Sequence, residues 1–148
     1  MKVRLAFYLI ALFMLAGCSS NSKSVNNPDA RTAQIYLESR GYQIVSYEGV
    51  VYEYTLNKEN VTRLPYSAYW QLPGNDPEPV FGKSVTVHKF IVKNHPLDHY
   101  HSGEYKAKGK TEAYVHIAEG KVAAGTSFPV MDQGLDGGYW NIDGVPLK

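Results

Sequence analysis

The sequence predicts an α+β domain, with an N-terminal helix packed on a four- to five-stranded, mostly antiparallel sheet. Three observations carry that expectation. Residues 28–40 repeat apolar side chains at helical spacing behind a strong start signal, Ser84–Lys93 alternates with a period of two, and two β-rich runs flank Glu119-Gly120. No repeat or second linker interrupts the chain after residue 27, so residues 28–148 are expected to form one domain.

Each element has a local cause. Asn27-Pro28-Asp29 supplies an N-cap side chain, a proline where no amide is missed, and an acid in the first turn. The helix is expected to run to Arg40, with Gly41 as its left-handed cap and Ala30, Ala33, Tyr36 and Leu37 on one face. Tyr42–Tyr47 and Val50–Leu56 read as two strands of a hairpin turning at Glu48-Gly49, the second placing Tyr52 and Tyr54 on one face. Asn57-Lys58-Glu59 suits a short helical turn that Pro65 ends, and residues 73–79 form a proline- and glycine-rich loop. In Ser84–Lys93, Thr86, His88, Phe90 and Val92 share a face opposite Val85, Val87, Lys89 and Ile91. A polar loop leads to Lys110–Ala118, then a turn at Glu119-Gly120 and a strand Val122–Phe128. Its small residues Ala123, Ala124 and Gly125 imply close approach of a neighbour, expected to be the N-terminal helix.

The first 27 residues address localisation. Lys2 and Arg4 precede an apolar run, Leu5–Ala16, of 12 residues, too short to span a bilayer, which needs roughly 20. Leu15-Ala16-Gly17-Cys18 resembles a bacterial lipobox, which implies a signal peptide over residues 1–17, cleavage before Cys18 and lipidation of that sulfur. Cys18 is the sole cysteine, so a disulfide and a thiol nucleophile are both excluded in the mature chain. Residues 18–27 then form a lipidated cysteine and a flexible polar tether. The expected location is the extracytoplasmic face of the cell membrane, or the outer membrane in a two-membrane host. Losing Lys2 and Arg4 takes the formal charge from +1 to −1, leaving no basic patch for nucleic acid.

Three groups of residues are candidates for chemistry or binding. His95, Asp98, His99 and His101 lie within seven residues and suit zinc or copper, since both accept neutral imidazole; no other cofactor is expected. As a strand, this stretch would put His99 and His101 on one face. Asp132, Asp136, Asn141 and Asp143 offer calcium-type oxygens but lack the acid spacing of an EF-hand loop. Tyr66, Tyr69 and Trp70, part of a load of 12 tyrosines, form a candidate binding surface for an envelope protein, peptide or glycan. Nucleophile elbow, zincin, phosphate-loop and dinucleotide motifs are all absent, which argues against an enzyme.

Residues 35–144 resemble a family of small lipoproteins of Gram-positive bacteria built on a domain of unknown function. The likeness rests on residues 36–42, the strand Val85–Val92, the hairpin Ala113–Gly125 and the closing Gly138-Tyr139-Trp140-Asn141-Ile142-Asp143-Gly144. It implies surface location and a small α+β domain, and carries no activity. The expectation is a non-catalytic accessory or binding module anchored to the membrane. A metal-binding envelope lipoprotein and an inhibitor or immunity lipoprotein are the alternatives.

Overall fold

The computed structural model describes residues 25–132 and 139–147. The leader, Cys18 and Asp136 lie outside them. Helix α1 spans Pro28–Ser39. The Asn27 side chain accepts from the Asp29 amide at 2.8 Å. At the other end Gly41 takes φ +85° while the amides of Gly41 and Tyr42 bond back to Glu38 and Leu37, closing the helix with a left-handed residue.

The remaining elements are β1 (Gln43–Thr55), α2 (Tyr66–Trp70), β2 (Ser84–Lys93), β3 (His101–Ser102), β4 (Tyr105–Lys106), β5 (Thr111–Ala118), β6 (Lys121–Pro129) and β7 (Trp140–Asn141). Among the described residues one antiparallel sheet of five strands runs in the order β1-β2-β5-β6-β7, and β3 and β4 pair as a separate ribbon. The mixed α+β class is thus present. Glu119 and Gly120 both have positive φ (50° and 73°), the geometry of a type I′ turn between β5 and β6.

The hairpin expected at Glu48-Gly49 is not formed. Residues 43–55 make one continuous strand, paired along its length with β2. The register shifts between Tyr47 and Gly49, opposite Phe90 and Lys89, so Gly49 (φ +101°) absorbs a β-bulge rather than a turn. A positive-φ glycine serves both purposes, and the partner strand decides between them.

The sheet separates two apolar clusters. On one face Ala30, Ala33 and Leu37 of α1 pack with Phe90, Val92, Ala113, Val115 and Ile117. On the other, Trp70 of α2 joins Leu56, Val80, Val85, Ala118 and Ala124. α1 lies against β6 as expected, but Ala124 packs in the cluster with Trp70, and a Cβ at Gly125 would lie 2.7 Å from Cβ of Ile142. The C-terminal segment, not α1, requires that glycine.

Candidate functional site

Alternation along β5 sends Glu112, Tyr114 and His116 to the face away from α1, and the register places Val87 and Thr126 beside them. α2 and its flanking loops cover one end of that face. Next to them lies a cleft of about 300 Å³. Val87, His116 and Thr126 contribute to its floor, while Tyr52, Tyr69, Tyr114, Phe128 and Tyr139 surround it. Asn75 fixes the position of Tyr69: its side chain donates to the Tyr69 carbonyl (2.8 Å) and the Gly125 carbonyl (3.2 Å) and accepts from the Gly125 amide (3.1 Å). Tyr69 in turn meets Tyr139 edge to face at 5.2 Å.

Behind the floor runs a directed hydrogen-bond chain. Trp70 Nε1 donates to the Tyr54 hydroxyl at 3.1 Å, and that hydroxyl lies 2.9 Å from His116 Nδ1. An indole only donates, so the Tyr54 oxygen accepts from it; His116 Nδ1 is then the acceptor among the described residues for the Tyr54 proton. A neutral ring accepting at Nδ1 carries its hydrogen on Nε2. Burial pushes the His116 pKa down to about 3, so the ring is neutral at ordinary pH. Tyr69 and Trp70 enclose it at ring-centroid distances of 5.6 and 6.0 Å.

The charges at the cleft are closed on themselves. Glu112 accepts from Lys89 Nζ at 2.7 Å and from the Tyr114 hydroxyl at 2.5 Å, and Lys89 also sits 5.4 Å above the Tyr114 ring. Burial, followed by the bond to Glu112, holds the Tyr114 phenol above its usual range; burial raises Tyr69 to about 12. Among the described lining residues, Glu112 is the single carboxylate, and Lys89 neutralises it.

The structure divides the expected aromatic surface. Trp70 is 3% exposed and acts as a hydrogen-bonded support rather than a contact surface. Tyr66 is half-buried against Tyr54, with ring centroids 4.7 Å apart, and Tyr69 alone of the three reaches the cleft.

The histidine stretch is divided too. His95 is buried and caps the 3-10 turn Pro96–His99: Nδ1 accepts from the Leu97 amide at 3.1 Å, and Nε2 bonds the Ile142 carbonyl at 2.8 Å. Asp98 accepts from the His95 amide (3.1 Å) and the Thr111 hydroxyl (2.8 Å). His99 ends the turn and His101 opens β3, both exposed, so the single strand face expected for them is not formed. Among the described residues no three histidine, cysteine or acidic side chains converge in a metal-binding group. Of the calcium candidates, Asp132 pairs with Lys108, Asp143 with Arg40, and Asn141 Oδ1 accepts from the amides of Asp143 and Val145.

Sequence reasoning missed His116, Thr126, Tyr114, Tyr52 and Tyr139 as neighbours. Period-two alternation in residues 110–118 already groups Glu112, Tyr114 and His116 on a face; joining them to Tyr52, Tyr69 and Tyr139 needs long-range pairing that no local pattern encodes. No family model, curated protein or solved structure matches this chain.

Proposed function

We propose that this chain is a lipid-anchored extracytoplasmic lipoprotein, akin to the small Gram-positive lipoproteins it resembles, acting as a non-catalytic binding module. Its ligand surface is the tyrosine-walled cleft on the sheet face opposite α1. The observation that carries the reading is the cleft itself: aromatic walls around a floor with a few polar groups, the usual make-up of a small-ligand site. Binding without catalysis is supported by the state of its ionisable groups. A general base works best with a pKa near the operating pH, whereas His116 is held near 3 and Glu112 is engaged by Lys89 and Tyr114.

Two measurements test this reading. Growth with labelled palmitate is expected to mark the protein, and Cys18→Ala to abolish both the label and membrane retention. Equilibrium dialysis of small solutes extracted from isolated envelopes is expected to show retention by the wild-type protein and loss of it in Tyr139→Ala. Equal retention by both proteins, or none by either, removes the cleft as the functional surface.

A further inference from the structure

Two polar groups on the cleft floor have no internal use. His116 and Thr126 are 2% and 4% exposed, yet among the described residues neither His116 Nε2 nor the Thr126 hydroxyl has a hydrogen-bond partner. No fully enclosed polar side-chain atom of the described residues lacks a partner, so both atoms must reach the open space of the cleft that their residues line. They stand on neighbouring strands: Thr126 pairs with Tyr114 and Ala124 with His116, making His116 and Thr126 a diagonal pair on one face, roughly 7–8 Å apart by backbone position. A buried donor and a buried hydroxyl aimed at the same space call for an occupant that hydrogen-bonds both.

We propose that the cleft binds a neutral saccharide, one ring of a glycan held between tyrosine faces with its oxygens on His116 Nε2–H and the Thr126 hydroxyl. This rests on the cleft being the ligand surface and adds the chemistry of the ligand. With Nδ1 accepting the Tyr54 proton, His116 offers Nε2–H as a donor, which suits a hydroxyl or ring oxygen and disfavours a second donor such as an ammonium. A cation is further disfavoured because Lys89 already lies over the Tyr114 face. An anion meets Glu112 with no free positive partner, since Lys89 is taken by it. A peptide recognised through its main chain needs unpaired backbone, and the floor strands β2, β5 and β6 are laddered on both sides at Val87, His116 and Thr126 or their immediate neighbours. Apolar C–H faces with a hydroxyl rim match aromatic walls with polar tips.

Isothermal titration and saturation-transfer NMR on the purified protein test the assignment, with chitotriose, cellotriose, maltotriose and a mannotriose as probes and choline and Ala-Pro-Ala as comparators. At least one saccharide is expected to bind. Thr126→Val, which keeps the shape and removes the hydroxyl, is expected to weaken it about tenfold, the worth of one hydrogen bond. Thr126→Ser is expected to restore it, and the exposed-wall variant Tyr139→Ala to weaken it as well, with thermal melts of the surface variant unchanged. Failure of all four saccharides, or binding that neither Thr126→Val nor Tyr139→Ala alters, overturns the proposal. If choline or the peptide binds instead and Tyr139→Ala removes it, the saccharide falls while the binding-module reading stands; if no probe binds and dialysis also shows no retention, both fall.

Discussion

Acid should destabilise this protein through His116, by an amount that its burial determines. In the unfolded chain a histidine takes up its proton near pH 6.5, whereas in the folded protein burial delays protonation to about pH 3. The unfolded state therefore binds the extra proton first, and stability falls as pH drops from about 6.5 toward 3. Each pH unit in that window is worth about 1.4 kcal/mol, so moving from pH 7 to pH 5 costs about 2 kcal/mol from this residue. The figure does not depend on the folded value as long as that lies well below 5. Among the described residues the rings packed around His116 are Tyr54 from β1 and Tyr69 and Trp70 from α2, and burial is the cause of the lowered value. Urea unfolding of wild type and His116→Asn at pH 7 and pH 5 checks the reasoning, because asparagine offers Tyr54 an acceptor and does not titrate. The variant is less stable at both pH values, but its loss between them should be about 2 kcal/mol smaller. Equal losses in the two proteins would refute a buried neutral His116. Burial also lowers His88 and His95, so the wild-type loss should exceed the contribution of His116 alone.

Gly125→Ala forces a Cβ to 2.7 Å from Ile142, and should cost about 1–3 kcal/mol in denaturant unfolding; pairing it with Ile142→Ala should return part of that loss in a double-mutant cycle. Tyr54→Phe removes both bonds of the chain from Trp70 to His116, leaves the indole N–H without its acceptor, and should cost about 1–3 kcal/mol in denaturant unfolding. Asp98→Ala leaves the His95 amide and Thr111 hydroxyl without their acceptor, and should lower stability by about 1–3 kcal/mol.

The elements readable from sequence are those whose causes are local. The Asn27-Pro28 start, the Gly41 cap, the alternation of β2 and the Glu119-Gly120 turn depend on neighbours a few residues away, and each appears where its residues place it. β1 is not readable in this way because Gly49 satisfies either a turn or a bulge, and β2 selects the bulge through pairing some forty residues distant. Trp70 is ambiguous for a related reason: an aromatic residue next to a loop serves equally as a contact surface or as a buried donor, and Tyr54 settles which.

The histidines carry the same lesson into the site. The chain has five, and the eye goes to the three clustered at 95, 99 and 101, yet proximity in sequence scatters them: His95 turns inward as a cap while His99 and His101 face solvent. The isolated His88 and His116 are buried, and each is held by a tyrosine of β1, Tyr47 at 3.0 Å and Tyr54 at 2.9 Å. What separates them is the second nitrogen. His88 Nε2 lies 3.3 Å from the Thr86 hydroxyl, which completes an internal set of bonds on the α1 face. Among the described residues His116 Nε2 has no such neighbour, and its ring lines the cleft. The two tyrosine–histidine pairs on opposite faces of one sheet thus differ at the second ring nitrogen, and that difference leaves His116, not His88, with a donor for a ligand.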